Sequence, residues 1–314
     1  MLSLSAEDRP ILIASGFVLV ILAIGTVYTL STQGTASFLS LTYLLQQLQV
    51  GAFLGIVAAG MMLVILLGHI DLSVPWTLTA AAMMATAVGG PWALPVGLAV
   101  GLLVGVVNGI GVAYLRVPSM IFTLGINAVM RGLMIMLTGG FAPQSHSTPL
   151  MTALSVGHVF GVPVALLVWA AVSAVIVFIL SRTPLGRYIY AIGNRETAAY
   201  LSGIRTQHVL VAAFGLCGLC AGFAGVLLAG YSTKAYQGMG DAYLLPVIAA
   251  VVIGGTNILG GHGRYAGTVV GAILITLLTS VLSVMQMPEA GRQIIYGVVI
   301  ILMLLMYGGR KVAA

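Results

Sequence analysis

Charged residues are scarce in this sequence. They make up 6% of its 314 residues, while hydrophobic residues make up 60%. An average soluble domain has about 25% charged residues, so the composition excludes an ordinary soluble enzyme or binding module. It predicts an all-α integral membrane protein, because a helix satisfies its backbone hydrogen bonds within one segment of the bilayer.

Motifs for phosphate binding, hydrolysis and metal binding are also missing. A P-loop needs Gly-Lys-Ser or Gly-Lys-Thr, but the two lysines, Lys234 and Lys311, follow Thr and Arg. The five histidines stand singly, and Cys217 and Cys220 lie in an apolar run where small residues pack. We therefore expect no enzymatic activity, no metal and no cofactor in this chain.

Long hydrophobic runs occur throughout the chain. Span length and breaks at Gly, Pro or charge predict about ten transmembrane helices in one domain, residues 1–314. Two of them, 72–90 and 243–260, are short and are predicted to be re-entrant or broken. The ten segments are 11–30, 48–68, 72–90, 93–115, 119–138, 161–181, 207–231, 243–260, 266–284 and 291–308.

The basic residues predict the orientation of these helices. An even number of spans places both termini on one side, and the positive-inside rule makes that side cytoplasmic. The net charge of +6 then needs no nucleic-acid partner. Nine of the twelve Lys and Arg become cytoplasmic: Arg9, Arg116, Arg182, Arg187, Arg195, Arg205, Arg264, Arg310 and Lys311.

The most polar interval between apolar segments is the loop at about 182–206. It holds four arginines and Glu196. A charge at the bilayer centre costs roughly 2.5 to 3.5 kcal/mol even on the lenient insertion scale, so the loop must lie outside the membrane. We interpret it as a cytoplasmic docking surface.

Asp71 and Ser73 lie at the junction of the second and third segments. One hypothesis is that Asp71 caps the third helix by accepting backbone N–H groups. Another is that it belongs to a functional path, because a carboxylate inside a membrane protein needs a partner or water. A proton relay is disfavoured because further acids or histidines in successive spans are absent.

Thr123, Asn127 and Arg131 are four residues apart and share one face of the fifth helix. They are candidates to line a hydrophilic cavity, with Asn108 of the fourth helix opposite. Alternatively, Arg131 extends to the outer interface and Asn127 only bonds a neighbouring helix. Both interpretations stay open on the sequence.

Glycines recur every fourth residue along the fourth helix, at Gly97, Gly101, Gly105 and Gly109. Such a ridge lets a second helix approach closely. We predict packing within the chain, with a dimer seam as the alternative.

Several of these segments together resemble the membrane permease subunits of bacterial ABC importers for ribose, xylose, galactose and autoinducer-2. The run GHIDLSVPWTLT carries Asp71 and Ser73, with His69 and Pro75 where the family has glycines. Further family-like landmarks are Asn108-Gly109, Thr123-Leu124-Gly125, Arg131-Gly132 and the glycine-rich run VVIGGTNILGGHGRYAGTVVGA.

The loop PLGRYIYAIGNRETAAYLSGI is similar to the segment that these permeases present to their ATPase. The resemblance carries a coupling role onto Gly186, Arg187, Asn194, Glu196, Ala198, Ala199 and Gly203. It also makes Asp71, Ser73, Asn108, Thr123, Asn127 and Arg131 the candidates for the translocation path.

The resemblance implies a type II-like importer permease in the bacterial inner membrane. Its implied partners are a cytoplasmic ABC ATPase that holds ATP and Mg²⁺, a periplasmic sugar-binding protein, a second permease subunit and membrane lipid. The solute is implied to be a sugar or related polyol.

Two rival functions remain at this stage. In an ion-coupled secondary transporter, the short segments 72–90 and 243–260 would be broken helices of an inverted repeat. In a non-transporting membrane receptor, the outer loops would bind a ligand-loaded soluble protein. Neither rival explains the four family-like segments.

Overall fold

A computed structural model describes residues 9–141, 143 and 145–308, and this part of the chain is almost entirely helical. Its helices are α1 (Arg9–Gln33), α2 (Leu41–Leu66), α3 (Val74–Val88), α4 (Ala93–Ala113), α5 (Ser119–Thr138), α6 (Pro149–Val156), α7 (Val164–Arg182), α8 (Pro184–Asn194), α9 (Glu196–Leu201), α10 (Thr206–Ser232), α11 (Leu244–Ile253), α12 (Tyr265–Val284) and α13 (Glu289–Gly308). Short 3₁₀ turns occupy Ser37–Leu39, Gly90–Trp92 and Asp241–Tyr243.

Each of the ten predicted segments coincides with one of these helices. Within the described residues, seven helices are long and apolar enough to cross a membrane: α1, α2, α4 with its preceding turn, α5, α7, α10 and α12. The multi-pass, all-helical membrane fold is therefore confirmed. Ten crossings and two cytoplasmic termini stay predictions, and Arg310 and Lys311 lie outside the described residues.

The two segments expected to be short are short helices. α3 has 15 residues, and α11 has 10. At 1.5 Å per residue they measure about 22 and 15 Å, less than the hydrocarbon core of about 30 Å. Neither spans the bilayer as a single straight helix.

The core is built around α2 and α10. Every residue of α2 from Gly51 to Leu66 is buried, and α10 is buried along most of its length. Such helices are apolar all round because other helices cover every face. α4, α7, α11 and α12 pack around these two.

The glycine ridge of α4 packs against α10, so the prediction of packing within the chain is confirmed. A Cβ placed on Gly101 would collide with the carbonyl oxygen of Gly218, and one on Gly105 with that of Phe214. Gly222 of α10 is the reciprocal case, since its Cβ would lie 2.7 Å from the oxygen of Gly97. The two backbones touch along this ridge.

Cys217 and Cys220 also serve packing, as their apolar surroundings predict. Both are free and buried. A Cβ on Gly60 of α2 would lie 2.8 Å from Cα of Cys217 and 2.9 Å from Cβ of Cys220. The two small side chains therefore let α2 and α10 approach.

A small antiparallel hairpin, β1 (His158–Val159) and β2 (Val162–Pro163), precedes α7. Nearby, an isolated bridge pairs His146 with Lys234, and the N–H of Ser147 donates to the carbonyl of Thr233 at 2.8 Å. These contacts join the two loops that follow α5 and α10, on the side predicted to be external.

We predict that Gly105→Ala lowers the melting temperature of the purified protein. Overpacking a close contact typically costs about 1 to 3 kcal/mol, here against backbone atoms of α10. The matched control is Gly16→Ala on α1, where a Cβ meets nothing within 4 Å. Alanine is the better helix former by about 1 kcal/mol, so equal or higher stability of both variants would contradict close packing at Gly105.

Candidate functional site

The predicted docking loop folds into two short helices between α7 and α10. Thr183 caps α8, its side chain accepting the N–H of Gly186 at 3.4 Å, and Pro184 takes the first helical position. Proline fits there because that N–H has no helical partner. The extended backbone at Arg195 then separates α8 from α9.

Three of the predicted coupling residues hold the loop against the membrane helices. Gly186 is buried, and a Cβ there would collide with carbonyl oxygens at the end of α7. The side-chain amide of Asn194 donates to the carbonyls of Tyr190 at 2.9 Å and Gly261 at 3.4 Å. Ala199 is buried. Gly186 and Ala199 face the protein interior, whereas Asn194 is exposed and ties the end of α8 to the glycine-rich run through its amide.

The other predicted coupling residues are exposed or set the backbone. Arg187, Glu196 and Ala198 are exposed. Gly203 has φ +85°, and its N–H and that of Ile204 close the last turn of α9 on the carbonyls of Tyr200 and Ala199, at 3.0 and 3.1 Å. This is a Schellman motif, which requires a left-handed residue.

Two further exposed residues of α9 were missed by the sequence reasoning. Tyr200 is 61% exposed and Leu201 is 80% exposed. Residues two apart on a helix do not share a face, so burial of Ala199 turns Leu201 outward. A helix of six residues offered too little periodicity to reveal this.

The end of α8 meets the end of α2 and the glycine-rich run after α11. The N–H of Gly261 donates to the carbonyl of Leu66 at 2.9 Å, and a Cβ on Gly193 would collide with that same carbonyl. We call this contact of Leu66, Gly193, Asn194 and Gly261 the glycine junction. It gathers loops that the distribution of charge predicts to lie on one side.

Residues 67–73, which link α2 to α3, are irregular yet largely buried. Their backbone N–H groups are satisfied individually: Leu72 by Thr123 Oγ1 at 2.9 Å, Ser73 by Asp71 Oδ1 at 2.9 Å and His69 by the carbonyl of Val64 at 3.1 Å. Irregular backbone is tolerated at membrane depth only where protein covers it. This link meets that condition.

The positions where the family resemblance expects glycine do not need it in the link. His69 and Pro75 are absent from the residues with positive φ, whereas Gly68 has φ +81°. Burial lowers the pKa of His69 below its ordinary value, while the nearby negative charge of Glu196 acts to raise it.

Asp71 forms a buried polar cluster with Ser73 and Asn108. Its Oδ1 accepts the hydroxyl of Ser73 at 2.6 Å, and both carboxyl oxygens lie 3.3 Å from the amide nitrogen of Asn108. That nitrogen also donates to Ser73 Oγ at 2.7 Å. Asn108 lies five residues before the end of α4, about 7 Å from that end along the helix axis.

The capping hypothesis for Asp71 needs a correction in detail. α3 begins at Val74 and its N-cap is Ser73, whose side chain makes no capping bond. Asp71 accepts the N–H of Ser73, so it fixes the turn that leads into the helix instead of capping the first turn itself. The amide oxygen of Asn108 has no hydrogen-bond partner among the described residues.

The predicted polar face of α5 lies against the link and the first turn of α3. Thr123 is fully buried, and Asn127 accepts the N–H of Trp76 at 3.3 Å. Arg131 is exposed and lies over the indole of Trp76, 5.8 Å from Cζ to the ring centroid. Asn127 thus bonds a neighbouring helix. The candidate path residues of α4 and α5 contact residues 71–76, which include the other two candidates, Asp71 and Ser73.

Sequence comparisons provide independent information on these segments. Residues 43–304 match the family described as branched-chain amino acid transport system / permease component. The ribose import permease protein RbsC of Escherichia coli K12 is 36% identical over 270 residues, 83% of each chain. RbsC of Haemophilus influenzae is 34% identical over 276 residues, 85% of each chain.

A relative with another named solute is also similar. The autoinducer 2 import system permease protein LsrC of Yersinia enterocolitica is 32% identical over 270 residues, covering 81% of this chain and 72% of that one. No solved structure matches the sequence significantly.

We predict that Asp71→Ala lowers the thermal stability and folded yield. The variant leaves Ser73 and Asn108 without their buried acceptor, and such a loss costs about 1 to 3 kcal/mol. Asp241→Ala, at an exposed carboxylate, is the matched control and should behave as wild type. Normal stability of Asp71→Ala together with lost transport would contradict the structural role and favour a role in the path.

Proposed function

The chain belongs to the branched-chain amino acid transport system / permease component family, and we propose that it is the membrane subunit of an ATP-driven importer of a sugar or related polyol. ATP and Mg²⁺ are held by a separate cytoplasmic ATPase. The names of the ribose permeases support the solute class, and the observation in this chain that carries the proposal is the exposed surface of α8 and α9.

This exposed surface has the chemistry of a protein-docking site. Tyr200 and Leu201 leave large apolar areas uncovered, and Arg187 and Arg195 are exposed on the same two helices and their connection. Tyr and Arg are enriched among the residues that dominate binding energy. A chain without a P-loop has to receive the energy of ATP hydrolysis through contact, and this surface is suited to that contact.

The glycine junction offers a route from the docking surface to the polar cluster. A displacement of α8 is transmitted to the end of α2 because Gly193 packs on the carbonyl of Leu66. Asp71 follows Leu66 by five residues, at the end of the irregular link. Rigid elements in direct contact are the physical basis for such coupling.

The translocation path is proposed to run between two permease subunits, along α5. α5 buries only Ser119, Thr123 and Met134 within this chain, and a Cβ on Gly125 or Gly132 would meet nothing within 4 Å. Asn127 and Arg131 are accessible from this face. Asp71, Ser73, Asn108 and Thr123 are covered, so the solute reaches them only if α5 moves.

On the opposite side, the two joined outer loops are proposed to receive the periplasmic sugar-binding protein. The bridge between His146 and Lys234 makes them one surface. The ion-coupled alternative has no support, because the named relatives are import-system permeases and Asp71 has Ser and Asn, with no second acid, as its side-chain partners.

The test is purification of the tagged protein from its host in mild detergent, with mass spectrometry of what accompanies it. We predict an ATPase in near-equal amount, which Leu201→Ala reduces. Loss of one central apolar contact typically costs 1 to 2 kcal/mol, about 5- to 30-fold in affinity.

The matched control is Leu39→Ala, at a leucine that is 63% exposed on the side predicted to be external. Retention of the ATPase by Leu201→Ala would exclude this surface as the docking site. Recovery of the wild-type permease alone, even after cross-linking, would contradict the proposed function itself.

A further inference from the structure

An apolar groove runs along the surface between α4, α7 and α10. Its volume is about 620 Å³. Its walls and floor include Leu102, Ile110 and Tyr114 of α4, Ile179 of α7, and Ala212 and Leu216 of α10. Its lining also includes the small residue Gly215, next to Leu216 on α10.

The length and position of the groove match one leaflet of a bilayer. From Leu102 to Tyr114 it follows α4 for twelve residues, about 18 Å. One leaflet contributes about 15 Å of hydrocarbon, half of the usual 30 Å. α4, α7 and α10 are all candidate spans, so the groove faces acyl chains at its own depth.

A second cavity adjoins the groove at the start of α10, and its lining is mixed, with a larger polar share than that of the groove. It has a volume of about 440 Å³, and its lining includes Tyr188, Arg205 and His208. Leu185 and His208 line both cavities, so the two are adjacent. Arg205 is exposed and forms no ion pair within the described part of the chain, and no acid lines either cavity.

We propose that the two cavities together bind one anionic phospholipid of the cytoplasmic leaflet. One of its two acyl chains fills the groove, and its phosphate lies beside Arg205 and His208. The choice of leaflet rests on the proposed orientation, which places the start of α10 in the cytoplasm. The anionic charge is required because the headgroup end of the groove offers an uncompensated cation, and anionic lipids are attracted to basic residues at this leaflet.

The position of the headgroup gives the site a consequence for coupling. Gly203 and Ile204, which end α9, line the same cavity as Arg205. A lipid bound there lies against the base of the docking surface and braces α9 where it joins α10.

The test is native mass spectrometry of the full-length permease, titrated with phosphatidylglycerol or with phosphatidylcholine. We expect one phosphatidylglycerol per chain, bound more tightly than phosphatidylcholine. Arg205→Gln should weaken the binding of phosphatidylglycerol by about five-fold, the usual effect of one basic residue at a membrane surface. Arg195→Gln, an exposed arginine that lines neither cavity, should leave both affinities unchanged.

A second pair of variants tests the groove. Ala212→Phe fills the groove and should weaken the binding of both lipids. Ala174→Phe, on an exposed part of α7 outside the groove, should leave the binding of both lipids unchanged. Equal effects of Arg205→Gln and Arg195→Gln would overturn the proposal. The proposal would also be overturned if Ala212→Phe bound both lipids normally but no longer formed a dimer of two permease chains. That result would assign the groove to a subunit interface. Because the readout is lipid mass, the result is independent of transport.

Discussion

The glycine junction is the contact on which the rest of this structure depends. The end of α8 and the glycine-rich run before α12 both meet the end of α2 at the carbonyl of Leu66. They approach so closely because residues 193, 260 and 261 are glycines. Gly260 and Gly261 have φ +89° and +80°, a conformation that costs other residues roughly 1 to 2 kcal/mol. The junction thus joins the docking surface, the central helix α2 and the segment before α12.

The bundle around this junction suits the transmission of movement. α2 and α10 are covered on nearly all faces, and the glycine contact with α4 leaves no room between backbones. Closely packed elements move as units, because packed interiors are not continuously deformable. By contrast, α5 buries only Ser119, Thr123 and Met134 against the rest of the described chain, so little packing has to be broken to displace it.

Much of the helical arrangement followed from hydropathy and charge. The ten segments, the short lengths of α3 and α11, and the packing role of Gly101 and Gly105 are all local properties of the sequence. The shared helix face of Thr123, Asn127 and Arg131 was also predicted correctly, because it depends on helical periodicity alone. The comparisons then confirmed the family that the motifs resembled.

Other features depended on contacts between distant residues and were beyond sequence reasoning. One hypothesis made Asp71 the cap of α3, but its carboxylate lies in a cluster with Ser73 and with Asn108, which is 37 residues away in sequence. Asn194 was assigned to ATPase coupling, yet its amide bonds Gly261, and whether it also touches the ATPase stays a prediction. Leu201 was missed because its exposure follows from the burial of Ala199.

The most direct measurement is the ratio of solute imported to ATP hydrolysed in proteoliposomes that contain the complete importer. The decisive variant is Asn194→Ala, which removes the amide bonds to Tyr190 and Gly261 but leaves the exposed surface of α9 intact. If the junction transmits the movement, hydrolysis and ATPase binding persist while the ratio falls severalfold. A ratio equal to that of the wild type would contradict the account.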